Sequence, residues 1–331
     1  MKKVSMIIPC YNVSRYVLDR MLGSVLKQIY KKLEVIMVND GSTDETLSRL
    51  NEWKEIFIQH GYDTKVFTKS NGGSASAINV GLNHFSGEYI CFPDADDELN
   101  PSYVLTMVEY LEGNPHCNVV RCDAYIINEN DKENGSKLWS EDFSQHGFFN
   151  SILIKDVNNV VWPMLVRASF FKERIPKLYL HESSGTQEWQ LLLPLTYKEF
   201  VPHIKIPLYN YYIYSDSYIR RTIRDKDEES LLNYAKSQRE NILVTLNNMM
   251  IPFVEIGVYS MLGIFSSIRM IMRFDYISVP TKNSCSLLLA YLLKHYMNIK
   301  VDIAILMEIN RFHFYALRLE KYFLDNKKIT F

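Results

Sequence analysis

The sequence predicts an α/β fold: a mostly parallel sheet with helices on both faces, followed by a helical extension. Three observations carry that expectation. Apolar runs of strand length alternate with segments at helical spacing through the first hundred residues. Each run ends in a polar or glycine-containing loop. From Asp225 onward the pattern changes to helical periodicity alone. With 331 residues, 47% hydrophobic and 23% charged, the chain can bury a sizeable core and is long enough for two domains. A net charge of -1 gives no global attraction to nucleic acid or acidic membranes. The five cysteines form no CxxC pair, so reduced thiols are expected rather than a disulfide framework, which fits a cytoplasmic chain.

Val4 to Ile8 reads as a buried strand, and Pro9, which has no backbone N–H, is expected to end its ladder. Ser14 can cap a helix carrying Leu18, Met21, Leu22, Val25 and Leu26 on one face. Leu33 to Val38 is a second strand. The turn Asn39-Asp40-Gly41-Ser42-Thr43-Asp44 leads into a helix from Glu45 to about Gln59. Lys65 to Thr68 is a third strand, Asn71-Gly72-Gly73-Ser74 a glycine turn, and Ala75 to His84 the next helix. Glu88 to Phe92 is a fourth strand, and Asn118 to Ile127 a later one. Opening Met1 to Pro9 is not read as a signal peptide, because its apolar run is broken at Pro9. No segment reaches the ~18 uncharged apolar residues of a membrane span.

In parallel α/β sheets the ligand site lies beyond the carboxyl ends of the strands. Tyr11, Asp40, Asn71 and Asp94 all fall at such ends. The fourth strand is followed by Asp94, Asp96, Asp97 and Glu98 within five positions, a concentration of charge that calls for a cation. In an extended backbone Asp94 and Asp96 face the same way. Hard oxygen ligands of this kind suit Mg²⁺ or Mn²⁺. The alternative for the same residues is an acidic turn opening a helix.

The segments Ile7-Ile8-Pro9-Cys10-Tyr11-Asn12, Val38 to Asp44, Asn79-Val80-Gly81-Leu82 and Gly87-Glu88-Tyr89-Ile90 through Asp94-Ala95-Asp96-Asp97 resemble the family 2 glycosyltransferases of the GT-A fold. The resemblance covers about residues 1 to 220. It implies a GT-A domain over 1–220, with a nucleotide-sugar half to about residue 100 and an acceptor half over 101–220. Residues 221–331 form a C-terminal helical domain. It implies an inverting transfer of a sugar from a nucleotide-diphosphate donor, a UDP-sugar, to a hydroxyl acceptor, saccharide or lipid-linked, in surface polysaccharide or glycoconjugate synthesis. On the residues, it implies that Pro9, Tyr11 and Asp40 hold the base and ribose, with Asn71 beside them. Asp94 would lie near ribose and metal, and Asp96 would be the direct ligand of Mn²⁺ or Mg²⁺. An Asp40 carboxylate can accept from the uracil imide N–H. One departure stands out: Ile78 occupies a position where the family often has arginine.

Direct inversion needs a general base. Gly185-Thr186-Gln187-Glu188-Trp189 resembles the family's base motif with Glu188 in place of Asp, which makes Glu188 the candidate catalytic base and Glu182 the alternative. Trp162 is either a stacking platform for a sugar or a core residue. Ser215-Asp216-Ser217 resembles a loop that folds over the diphosphate. Arg220, Arg221 and Arg224 follow it, either as phosphate contacts or as a basic surface. Two readings compete with a transferase: a nucleotidyltransferase that makes sugar nucleotides, and a catalytically weak partner subunit. The C-terminal helices end in a basic, aromatic stretch (Arg311, Phe312, Phe314, Tyr315, Arg318, Lys321, Tyr322). It reads as a packing or homo-oligomerising face, or as a peripheral contact with the inner face of the cell membrane.

Overall fold

The computed structural model describes residues 1–128, 136–140, 147–153, 159–182, 187–214, 218–274, 276–297 and 318–319. Ser215-Asp216-Ser217, most of the polar segment 129–147, Gly185-Thr186 and nearly all of the basic C-terminal stretch lie outside these residues. The chain divides into two compact units, one made of Met1–Phe149 and Asn159–Tyr214, the other of Asn150–Asn158 and Ser215–Phe331.

The first unit opens with β1 (Val4–Cys10), α1 (Arg15–Leu26), β2 (Leu33–Asp40), α2 (Thr46–Gln59), β3 (Asp63–Lys69), α3 (Ser74–Leu82) and β4 (Tyr89–Cys91). It continues through β5 (Glu98–Leu99), α4 (Tyr103–Gly113), β6 (Val119–Ile127), β7 (Ser136–Trp139), β8 (Met164–Arg167), α6 (Ala168–Arg174), α7 (Glu188–Thr196) and β9 (His203–Tyr212), while α5 (Phe148–Leu153) starts in this unit and runs from Asn150 in the second. All nine strands join one sheet in the order β3-β2-β1-β4-β8-β6-β9-β5, with β7 beside β6. The strands β3, β2, β1 and β4 run parallel. Where β8 enters between β4 and β6 the pairing becomes antiparallel, so the sheet is mixed in its second half.

Alternation along the strands separates two cores. Met6, Ile8 and Cys10 of β1, with Val35 and Met37 of β2, face Leu18, Leu22 and Val25 of α1, Leu50 and Phe57 of α2, and Val104 and Met107 of α4 in one cluster. Ile7 points the other way, onto α3, where Gly81 lets it approach: a Cβ there would lie 2.5 Å from the Ile7 side chain. Phe171 of α6 meets the rings of Phe85 and Phe92. Helices therefore cover both faces, as the rhythm of the sequence predicts.

Two local expectations change. Pro9 does not end β1; it pairs in register with Val38, and the strand runs on to Cys10. β4 accompanies β1 only as far as Met6, so beyond it β1 has a strand on one side only. A residue without an N–H is tolerated at such a place. Trp162 is a core residue rather than a sugar platform: it is buried and stacks on Tyr209 and Tyr211 with centroids 4.3 and 5.6 Å away.

The second unit is helical, with α8 (Tyr218–Arg224), α9 (Glu228–Asn248), α10 (Phe253–Met272) and α11 (Val279–Met297). Asp227 caps α9 by accepting from Ser230 N–H at 3.0 Å, and Glu228 and Glu229 occupy the first turn, where carboxylates are favoured. Arg220, Arg221 and Arg224 lie on α8 of this unit. Among the described residues, no helix is long and apolar enough to cross a membrane.

Candidate active site

Parallel pairing sets the carboxyl ends of β1, β2 and β3 side by side, with Cys10 opposite Asn39 and Asp40 opposite Lys69. Tyr11 follows β1 and is 50% exposed at this rim. Pro9 lies within the strand just before it. The loops after β1 and β2 are stitched together: Asn12 N–H donates to Ser42 Oγ at 3.0 Å, and Thr43 N–H donates to Asn12 Oδ1 at 2.8 Å. Asn12 adopts φ 47°, a left-handed conformation that asparagine accepts more readily than most residues. At the next turn glycine is required twice over. Gly41 has φ +71°, and a Cβ on it would lie 2.5 Å from Asn71 N.

That close approach closes a ring of donors around Asp40, whose side chain is almost wholly buried. Lys69 Nζ (2.9 Å) and Gly72 N–H (3.0 Å) donate to Oδ1. Gly73 N–H (2.7 Å) and Asn71 Nδ2 (3.3 Å) donate to Oδ2. Asn71 Nδ2 also donates to the Asp40 carbonyl at 3.1 Å. Asp40 and Asn71 thus meet, and the Asp40 carboxylate is fully occupied by its own loop.

The acidic segment after β4 is built differently from its sequence-based reading. Residues 95 and 96 form a turn, so Asp94 and Asp96 do not converge along an extended backbone. The turn draws in Asp97 as well, and carboxylate oxygens of all three aspartates lie within 4.8 Å of one another. Among the described residues this is the one group of three side chains arranged to hold a metal ion. Burial pushes the Asp94 carboxyl well up from its ordinary range, and the nearby Asp96 and Glu188 carboxylates add to it. Asp97 is raised well too, by burial and then by Asp96 and Asp94, against the opposing effect of the Tyr212 N–H and Tyr209. Asp96 is raised by burial, partly offset by its own backbone N–H and by Arg20. A cluster of hard oxygen donors that repel one another fits a divalent cation, which would relieve the repulsion.

Glu188 opens α7 and reaches this cluster closely enough to disfavour the Asp94 charge. Gln187 Nε2 donates to Glu188 Oε1 at 3.3 Å. The fold therefore brings Glu188 near Asp94, a member of the three-aspartate cluster almost a hundred positions away in sequence. Glu182 is placed elsewhere: it accepts from Asn79 Nδ2 at 3.3 Å and is tied to α3. Ile78 is buried in the core beside Asn79.

Residues 5–175, just over half of the chain, match the family description Glycosyl transferase family 2. The chain belongs to that family. As a family 2 glycosyltransferase it leaves the nucleotidyltransferase reading behind. It is 29% identical over 280 residues to an uncharacterized glycosyltransferase of Haemophilus influenzae, covering 79% of this chain and 80% of the relative. It is 39% identical over 112 residues to Glycosyltransferase GlyA of Streptococcus pneumoniae, covering 33% of this chain but only 15% of that protein. Among solved structures, residues 1–349 of S. aureus TarS superimpose with a TM-score of 0.58 at 16% identity, covering 98% of this chain and 92% of that one. The same TarS fragment has been solved with UDP-GlcNAc, and that structure matches with a TM-score of 0.55 at 16% identity. These likenesses establish the GT-A type of fold.

Several supporting residues of this family 2 site escape a reading of the sequence. Strand β9 backs the acidic turn. Tyr209 OH accepts from Asp94 N–H at 3.1 Å, Tyr212 N–H donates to Asp97 Oδ1 at 2.9 Å, and Asn210 Nδ2 and Tyr212 OH donate to Glu98 Oε2 at 2.9 and 3.1 Å. Two buried side-chain amides hold the backbone that leads toward Glu188. Asn79 exchanges two hydrogen bonds with Leu180, at 2.7 and 2.8 Å, and Gln190 exchanges two with His181, at 2.5 and 2.8 Å. The available signals were the density of tyrosines over 207–214 and the family-like segment Asn79-Val80-Gly81-Leu82; nothing local marks Gln190.

Proposed function

We propose that this family 2 enzyme is an inverting, metal-dependent transferase that uses a UDP-sugar and an acceptor hydroxyl, with Glu188 as general base. The observation that carries this reading is the three-aspartate cluster beyond the strand end, with Glu188 near enough for its charge to act on Asp94. Asp94 and Asp96 would hold Mn²⁺ or Mg²⁺, which when bound supplies positive charge to the diphosphate leaving group. Pro9, Tyr11, Asp40 and Asn71 line the neighbouring loops as the nucleoside pocket. The UDP choice is supported by the carboxylate at Asp40 and agrees with the nucleotide bound by TarS. A saccharide or lipid-linked saccharide is the acceptor class, and surface polysaccharide or glycoconjugate synthesis at the cytoplasmic face of the membrane is the role.

In the reaction the acceptor oxygen bonds to the anomeric carbon as the bond from that carbon to the phosphate oxygen breaks. The electron pair leaves with the diphosphate, and the acceptor proton passes to Glu188. Glu188 is preferred to Glu182 because it faces the acidic turn, whereas Glu182 is held against α3. Glu188→Gln keeps shape and hydrogen bonding but cannot take the proton. It should lower UDP release from a UDP-sugar in the presence of acceptor by ~10²–10⁴, with UDP affinity nearly unchanged. Normal turnover by Glu188→Gln beside an inactive Glu182→Gln would move the base to Glu182.

A further inference from the structure

Arg20 lies on the second turn of α1, in a stretch whose sequence shows only helical periodicity. In the fold it reaches the acidic turn. Its guanidinium donates to the Asp96 carbonyl at 2.7 Å and also to the hydroxyl of Tyr214, just past the end of β9. The Tyr214 hydroxyl itself donates to the same Asp96 carbonyl at 3.0 Å. The guanidinium plane sits over the Tyr212 ring, 3.3 Å from its centroid, with the Tyr16 ring 5.7 Å away. Such stacking fixes the orientation of a planar cation as well as its position.

Asp96 lies in a turn and outside any strand, so no sheet ladder fixes its peptide plane. The Asp96 carbonyl is instead gripped by two donors from opposite ends of the first unit. That grip sets the backbone torsions at Asp96, and those torsions set the direction of its Cβ and carboxylate. The carbonyl is an unusual target for so strong a donor.

We propose that Arg20 and Tyr214 are positioning residues for the metal site: they hold the Asp96 backbone so that its carboxylate meets the cation bound with the donor diphosphate. This rests on the reading of Asp94 and Asp96 as metal ligands. Partners that orient a metal ligand are typically worth 10–100-fold in metal affinity. The arrangement also couples β9 to the site, since Tyr209, Tyr212 and Tyr214 all bond residues 94–97.

The test uses the full chain, with Mn²⁺ alone and Mn²⁺ with UDP as probes. Arg20→Ala should weaken Mn²⁺ binding, followed by electron paramagnetic resonance, by roughly 10–100-fold. Tyr214→Phe, which removes one hydroxyl and keeps the ring, should weaken it less and in the same direction. Both should alter the spectrum of the Mn²⁺–UDP complex while leaving metal-free UDP affinity and the thermal midpoint of the metal-free protein unchanged. Arg20→Lys, with a donor but no planar fork, should fall between Arg20→Ala and wild type. Equal loss of UDP affinity with and without Mn²⁺ would make Arg20 a direct phosphate contact and overturn the proposal. So would wild-type Mn²⁺ affinity and spectrum in Tyr214→Phe. If the wild-type protein itself binds no Mn²⁺, the failure lies in the metal reading, and this inference falls with it.

Discussion

Asp40 and the Asp94–Asp97 turn follow β2 and β4, the strands on either side of β1, and both are carboxylate-bearing loops at the carboxyl ends of parallel strands. They are satisfied in opposite ways. Asp40 receives four donors from residues 69–73: Lys69 and Gly72 reach Oδ1, and Asn71, Gly73 and again Gly72 reach Oδ2. The aspartates of the acidic turn lie together; burial raises all three, and repulsion from neighbouring carboxylates adds to it at Asp94 and Asp97. Partners of this turn reach its backbone as well as a carboxylate: Tyr209 OH accepts from Asp94 N–H, Arg20 and Tyr214 donate to the Asp96 carbonyl, and Tyr212 N–H donates to Asp97 Oδ1. Asp40 is satisfied by donors of its own loop, whereas on the proposed reading a cation would complete the acidic turn. A carboxylate at a strand end is thus no guide to its role until its donors are counted.

Breaking the acidic turn should have the largest effect. Asp96→Asn removes a charge that the cluster holds at a cost, so the metal-free fold should persist and even gain slightly in thermal midpoint. Transfer should fall by about 10³-fold, the scale set by losing several kcal/mol of charge stabilisation on the leaving group. Mn²⁺-dependent UDP binding should vanish. Turnover of this variant at the wild-type rate would remove the metal from the mechanism.

The same substitution at Asp40 should act through the loop. Asp40→Asn turns one acceptor oxygen into a donor that must face Lys69 and Gly72 or Gly73, leaving buried donors unmatched. The expected loss of stability is about 1–3 kcal/mol. UDP affinity should fall equally with and without Mn²⁺, and wild type should bind UDP more tightly than GDP or CDP. For the uracil imide to bond Asp40 directly, one of the four present donors must yield. If Asp40→Asn weakens UDP alone, with no change in stability, Asp40 acts as a base reader and the donors of its loop are dispensable.

The contrast also explains which parts of the molecule could be read in advance. The order of strands and helices from β1 to α3 follows from local periodicity, and the sheet rule then places Tyr11, Asp40, Asn71 and Asp94 at one edge. Each of those steps uses residues close in sequence. What escaped depends on contacts made across the chain. The two-residue β5 is a strand only because β9 lies beside it. Arg20 meets Tyr214 across 194 positions, and Asn79 meets Leu180 across 101. Pro9 misled because a single-residue rule about N–H donors takes no account of whether a partner strand is present on that side. In the sequence, Glu188 is singled out over Glu182 only by the family resemblance, because local spacing offers both carboxylates.

Glu34 gives the smallest expected effect and isolates the architectural half of the comparison, since it lies at the opposite edge of the sheet from the site. It opens β2 with no exposed side-chain surface. It accepts from Lys65 Nζ at 2.6 Å, from Ser86 N–H at 2.7 Å and Oγ at 2.9 Å, and from Ser5 Oγ. Ser5 Oγ in turn accepts from Gly87 N–H at 2.9 Å, so the network pins the chain entering β4. Burial by itself would raise the Glu34 carboxyl, but hydrogen bonds from Lys65, Ser5 and Ser86 outweigh it and hold the group below its ordinary range. A carboxyl lowered on folding stabilises the protein above its unfolded pKa, about 4.3. That contribution is lost as the pH falls through the folded value. Glu34→Gln should therefore cost about 1–3 kcal/mol at pH 7, read as a shifted urea midpoint. The deficit should shrink as the solution is taken below about pH 4. Mn²⁺–UDP affinity should match wild type throughout. A deficit of the same size at both pH values would mean that the Glu34 charge contributes nothing and that shape alone fills the site. A loss of Mn²⁺–UDP affinity would mean that the two edges of the sheet are coupled, and that the division between architectural and cation-seeking carboxylates does not hold.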